Sequence, residues 1–437
     1  MSLIARLRQI AMVSGVETFG VAMGGVSGLL IVNVLPKEQY AIYTFVLACV
    51  TLMAGISELG LSHCVLPVVG QRASDQHWVV GVCHQIFRRR WMLMSAGVVI
   101  VLPYWFYTSQ EHHWHSAPHW VSGLLMLGVV LLTLRESFLH VVLLIMRHIP
   151  SLNRIAFASH TVRFSLVGAV LLLPLAAWSV PALFAATVLA LAVSVQLLKR
   201  AFARHGIEDW RLNADECRVV DREALRVALP LVPSAIFFHV QGVITVLIVS
   251  IFGTTDMMAE VGAFGRLALV LTVFDRVTNM LLFPALARSP AGARFVSRLT
   301  RIHGAYLVMM FMVLATAVAW PHYWMLLLGR QYASMEPYLW MVVVSSILMS
   351  AAGFAFRTLA VRGATQRQWV TIPLVILVQI VFVALVGVDN LKLVLAFNLV
   401  TSCTHFAYQY GMLIASLPGW RKEPADVATE ASQPKAD

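Results

Sequence analysis

Charge is what this chain has least of. Asp, Glu, Lys and Arg make up 12% of its 437 residues and apolar residues 59%, against about 25% and 45–50% in soluble domains. That balance excludes an ordinary soluble domain and indicates an integral membrane protein. Cysteine is sparse and unpatterned: Cys49, Cys64, Cys83, Cys217 and Cys403 are odd in number and show no C-x-x-C pair, so no disulfide framework follows. The sequence has no Walker loop, no G-x-G-x-x-G after a strand, no G-x-S-x-G and no H-E-x-x-H. ATP hydrolysis and soluble-type catalysis therefore have no support, and no cofactor is expected.

What is present is a series of apolar runs near the roughly 20 residues a helix needs to cross a bilayer. They fall at 11–33, 40–62, 91–108, 120–146, 154–176, 178–198, 227–251, 261–286, 303–320, 337–360, 368–387 and 391–416. The first is longer than the apolar core of a signal peptide and reads as a retained helix. With the N-terminus in the cytoplasm, 24 of the 32 Lys and Arg residues lie inside, three lie outside (Lys37, Arg330, Lys392) and five lie within spans. This is the positive-inside pattern, and it puts both termini in the cytoplasm. It also accounts for the net charge of +11 without nucleic acid. Aromatic clusters at 103–107 and 321–324 match interfacial belts. The expected architecture is all-α, with about twelve transmembrane helices in two six-helix bundles, 1–198 and 227–416. A cytoplasmic linker, 199–226, joins them, and a disordered cytoplasmic tail, 417–437, follows. Six spans per half give both halves the same orientation, as parallel repeats would have.

Specific residues then point to a family. The stretch LPKEQYAIYTFVLACVTLMAGISELGL (35–61) resembles the start of the bacterial polysaccharide transporters, the O-antigen and exopolysaccharide flippases. Their first helix ends in a short turn, matched by Pro36, Glu38, Tyr40 and Tyr43, with Ala41 where a glycine is usual. Their second helix carries an acid-Leu-Gly, matched by Glu58, Leu59 and Gly60. VGAFGRLALVLTVFDRV with FPALAR (283–288), and WPHYWMLLLGRQYA (320–333), continue the resemblance. It implies the multidrug/oligosaccharidyl-lipid/polysaccharide (MOP) exporter fold, two bundles rocking around a central cavity at the bacterial inner membrane. It also implies a substrate of the undecaprenyl-pyrophosphate type carrying an oligosaccharide. Membrane lipids, a polysaccharide polymerase and glycosyltransferases are the implied partners in cell-surface polysaccharide synthesis.

Four arginines within spans are the candidate substrate ligands: Arg135, Arg163, Arg266 and Arg276. An arginine at the bilayer centre costs at least about 2.5–3.5 kcal/mol and is kept where it meets water, a partner or a ligand. A guanidinium suits a pyrophosphate because it gives forked, charge-assisted hydrogen bonds. Arg135 and Glu136 adjoin within LLTLRESFLHVVLL, so they point about 100° apart. The structural alternative is that each charge pairs with another helix. Glu17, Glu58, Glu136 and Asp275 are candidates for ion coupling or for charge pairing, and His239 for proton transfer or a structural hydrogen bond. The four histidines of EHHWHSAPHW (111–120) read as an interfacial loop, and no metal is assigned.

The expected function is a flippase for a lipid-linked oligosaccharide working by alternating access. A MATE-type drug/cation antiporter of the same fold would have a cavity dominated by acids and aromatics. A membrane-embedded polymerase or glycosyltransferase would have a large catalytic outside loop, and every outside loop here is short.

Overall fold

Proline and glycine set the helix boundaries at the start of the chain. The computed structural model describes residues 3–268 and 292–422; Asp275, Arg276, FPALAR, the chain beyond Lys422 and the side chain of Glu17 lie outside the described residues. Helix α1 (Leu3–Val34) stops just before Pro36, whose ring disfavours helical backbone in the residue preceding it. α2 (Lys37–Glu58) begins directly after it, with Glu38 in its first turn, where a negative charge complements the helix dipole. The turn is tied to the segment before 263. The Tyr40 hydroxyl donates to the Gly262 carbonyl at 3.1 Å, and Lys37 Nζ lies 3.3 Å from Glu260 Oε1.

The Glu58-Leu59-Gly60 element is where the second span breaks. Leu59 (φ 33°) and Gly60 (φ 81°) are both left-handed, a conformation that only glycine adopts without strain. The chain bends there into α3 (Leu61–Val69), short of the end at 62 expected from hydropathy. α4 (Gln76–Glu111) has 36 residues, hence about 54 Å, against a hydrocarbon core of about 30 Å. The helix is therefore longer than an upright span requires. Asp75 caps it, accepting from the Trp78 amide at 3.1 Å. That bond, and then Arg72, hold the Asp75 carboxyl below its usual range.

α5 (Ala117–Ile145), α6 (Ile149–Leu172) and α7 (Ser179–Arg204) follow as packed neighbours. The linker is part coil and part α8 (Ala214–Ala228). α8 opens with a capping box between Asn213 and Glu216, and it buries Val220, Ala224 and Ala228. That four-residue spacing makes one stripe, which packs against α3 and α4. The seventh span is split into α9 (Val232–Gln241) and α10 (Ile244–Phe252). α11 begins at 255 and is described through 268. The chain packs as two units, Met1–Gly262 and Ala263–Asp437, so α8, α9 and α10 belong to the first.

In the second unit, α12 (Ala293–Ala319), α13 (Pro321–Leu326), α14 (Leu339–Val361), α15 (Thr371–Leu385) and α16 (Leu391–Lys422) follow. α12, α14 and α16 enclose a core of Phe295, Tyr306, Phe354, Leu413 and Trp420. α16 runs past the expected start of the tail at 417, because Trp420 is buried against Phe295 and its carbonyl accepts from the Gly292 amide at 3.0 Å. Nine helical segments among the described residues are long and apolar enough to cross a bilayer, with a shorter tenth at Thr18–Val34. Leucines such as Leu124, Leu172 and Leu385 stand exposed on these helices, where lipid rather than water would cover them.

Candidate functional site

Arg88, Arg89 and Arg90 are consecutive on α4, and helical geometry sends them about 100° apart. Arg90 turns inward and is 5% exposed. It donates to Ser62 Oγ at 3.3 Å and Ser137 Oγ at 3.1 Å, lies over the Phe87 ring at 4.8 Å and reaches Glu58 at 3.9 Å. Arg89 pairs with Asp221 of α8. Arg88 is exposed and lines a cavity of about 560 Å³.

That cavity is also where Arg135 goes. Ten residues, about 15 Å of helix, separate Arg135 from the C-terminal end of α5 at Ile145. Its guanidinium lies over the Phe138 ring, 5.4 Å from the centroid. The cavity lies between α4, α5 and the linker, and Arg211 of the linker is its third arginine. His84, Trp91 and Phe138 also line it, and among the described residues no lining residue is acidic. Two carboxylates act at its rim: Asp209 lies 2.7 Å from His84 Nε2, and Asp221 binds Arg89 while also acting on Arg88. At about 4 Å and an effective dielectric constant near 20, each guanidinium attracts a unit negative charge by about 4 kcal/mol. The arrangement can bind a multivalent anion and repel a cation.

The linker is fixed over the cavity by close packing. Leu212 rests on Gly81, where a Cβ would come within 2.6 Å of the leucine side chain; glycine is needed for that approach. Gln76 donates to the Gly206 carbonyl at 2.8 Å, and Trp210 stacks on His77 with centroids 4.3 Å apart.

The other sequence candidates lie elsewhere. Glu136 faces α7, where Ser194 Oγ donates to its carboxylate. Arg163 of α6 acts on the same carboxylate, so Arg163 belongs to a three-helix polar cluster and not to the Arg135 cavity. Glu58 meets Arg90. His239 packs its ring against α2, where a Cβ on Gly55 would come within 2.5 Å. Arg266 is half-buried in the second unit. The histidines of 111–120 are dispersed among contacts: His119 bonds Ser109 Oγ at 2.8 Å and stacks on Trp105, while His112 bonds Thr255 Oγ1 and the Ser250 carbonyl. Among the described residues no three His, Cys, Asp or Glu side chains lie together as metal ligands would.

No family model and no curated protein matches this chain. Solved structures do. An inward-facing multidrug resistance MATE family transporter of the MOP superfamily matches with a TM-score of 0.61 and 14% identity, over 91% of this chain and 95% of that one. The fold is that of the MATE transporters. A MATE in complex with MaL6 matches at 0.57 and 13% identity over 93% and 96% of the two chains. A MOP superfamily transporter from Pyrococcus furiosus, described as having a binding pocket of reverse polarity, matches at 0.55 and 13% over 94% and 96%. At these identities the MATE likeness is one of fold.

Proposed function

We propose that the chain is a transporter of the bacterial inner membrane, with both termini cytoplasmic. It flips a polyprenyl-pyrophosphate-linked oligosaccharide between leaflets by alternating access. The MOP fold supports transport, and the motifs of 35–61 and 320–333 support the polysaccharide branch. The observation that carries the reading is the Arg135 cavity: among the described residues, three arginines and no carboxylate line it. A pyrophosphate is the kind of headgroup such a cavity accepts and hydrocarbon rejects. The sugar stays in water while the polyprenyl chain stays in lipid. Glu136, hydrogen-bonded by Ser194 and within electrostatic range of Arg163, serves as a helix-packing charge in this account.

The solved neighbours favour a second reading, a drug or cation antiporter, in which Glu136 would be the acid that meets the cargo or coupling ion. Deleting the gene separates the two. The flippase reading expects lipid-linked repeat units to accumulate on the inner leaflet, and Arg135→Ala to reproduce the defect with normal protein levels. Normal surface polysaccharide together with new drug sensitivity would favour the antiporter.

A further inference from the structure

The cavity is built from two kinds of element. α4 and α5 supply Arg88 and Arg135, and the segment that joins the two halves of the chain supplies Arg211. A pyrophosphate between these groups would touch both. We propose that the linker is part of a phosphate-binding site: Arg88, Arg135 and Arg211 together bind a phosphate-bearing headgroup at the cytoplasmic face, with Arg211 closing the site from the linker side.

Three independent features favour this. First, among the described residues nothing acidic lines the cavity, and although Asp221 offsets part of the Arg88 charge, Arg135 and Arg211 make no ion pair with a described residue. Arg135 makes a ring contact with Phe138 and no ion pair with a described residue, and an intramembrane arginine left so calls for a counter-charge. Second, the linker is docked and not draped. Leu212 on Gly81, the His84–Asp209 pair at 2.7 Å and the Trp210–His77 stack fix the backbone on both sides of Arg211, which lowers the entropy lost when Arg211 engages a ligand. Third, Trp91 and Phe138 give the cavity apolar walls beside its charges, which suits an amphiphile at an interface better than a free ion in water.

The inference rests on the flippase reading only for the identity of the headgroup. A phosphate diester of an ordinary anionic lipid presents the same chemistry.

Cys217 also lines the cavity and serves as reporter. Cys49, Cys64 and Cys83 are buried, and Cys403 is exposed. The test uses full-length protein carrying Cys403→Ser, in nanodiscs of phosphatidylcholine, and measures the rate of maleimide labelling at Cys217. Inorganic pyrophosphate is expected to slow labelling by roughly tenfold when present at about ten times its dissociation constant, with sodium chloride of equal ionic strength as control. Arg211→Gln is expected to raise the pyrophosphate concentration needed for half-protection roughly tenfold or more, the loss of one charge-assisted contact. Arg135→Gln should act likewise. Arg218→Gln, whose exposed partner is Asp215, should leave the protection unchanged. A second arm replaces a third of the phosphatidylcholine with phosphatidylglycerol. Protection there without added pyrophosphate, lost in Arg211→Gln, identifies an anionic lipid as the occupant and keeps the site. Protection by neither ligand, or protection that survives both arginine substitutions, overturns it. Because the assay measures binding, a protein that protects Cys217 yet leaves surface polysaccharide intact on deletion would refute the flippase reading and keep the site.

Discussion

The three adjacent arginines of α4 give a sharp test, because one residue type at three consecutive positions should yield three different phenotypes. Arg90 is 5% exposed and serves four elements: α4 itself, Ser62 of α3, Ser137 of α5 and Glu58 at the end of α2. Arg90→Ala removes two charge-assisted hydrogen bonds, leaves a void and strips Glu58 of its counter-charge. Each such bond is worth about 1.5–3 kcal/mol, while relief of the arginine's own desolvation offsets part of the sum. A net loss of about 3 kcal/mol follows. For a unit of this size, unfolding entropy of about 2.1 cal/mol/K per residue turns that into a fall of about 5 °C in Tm. Arg89→Ala breaks the partly exposed pair with Asp221, worth at most about 1 kcal/mol and therefore under about 2 °C. Arg88→Ala should leave Tm unchanged and act on ligand binding. The assay is thermal stability of purified protein by fluorescence-detected size exclusion, with surface expression measured in parallel. Arg90→Lys should restore little, because an ammonium lacks the planar fork that reaches several partners at once. If Arg88→Ala and Arg90→Ala lower Tm equally, the placement of these side chains, and with it the cavity wall, is wrong.

Three further outcomes are expected. Gly55→Ala would put a methyl within 2.5 Å of the His239 ring, so it should lower stability by roughly 1–3 kcal/mol through overpacking, and His239→Ala in the same chain should recover part of that loss. At the α5–α6 turn, His148 stacks on His205 with centroids 3.8 Å apart, and burial followed by His205 holds the His148 imidazole below its ordinary value. Since the folded state then binds a proton less readily than the unfolded one, this contribution is complete above the ordinary histidine pKa of about 6.5 and is lost as pH falls through the lowered value; Tm should drop on acidification below about pH 6.5, and less so in His148→Phe. Gly81→Leu should dislodge Leu212 and speed tryptic cleavage at Arg211, whereas Gly168→Leu, at a glycine with nothing within 4 Å, should not.

The all-α architecture and the rough number of helices were legible because a bilayer makes hydropathy obey simple lengths. The breaks were not. α2 ends at Leu59 through a left-handed backbone, and the seventh span splits at Gly242–Val243, because a run of apolar residues scores alike whether straight or bent. The buried role of Arg90 is hidden in the basic run Arg88-Arg89-Arg90, whose charges alone satisfy the positive-inside pattern. Periodicity would have shown it: positions 79, 83, 86, 90, 94, 97 and 101 form one buried stripe along α4. Arg163 could not be assigned from α6 alone, since its partner Glu136 sits on α5. Arg211 lay in a segment that reads as a soluble connector, and only packing of Leu212 on Gly81 brings it to the cavity.

The central claim is that the protein moves a lipid-linked pyrophosphate sugar across a bilayer, and reconstitution tests it most directly. Purified protein in liposomes carrying a polyprenyl-pyrophosphate oligosaccharide should speed loss of the sugar from the outer leaflet, read by an impermeant glycosidase, and Arg135→Ala should abolish most of that gain. Equal loss in protein-free liposomes, or full activity in Arg135→Ala, would contradict the account.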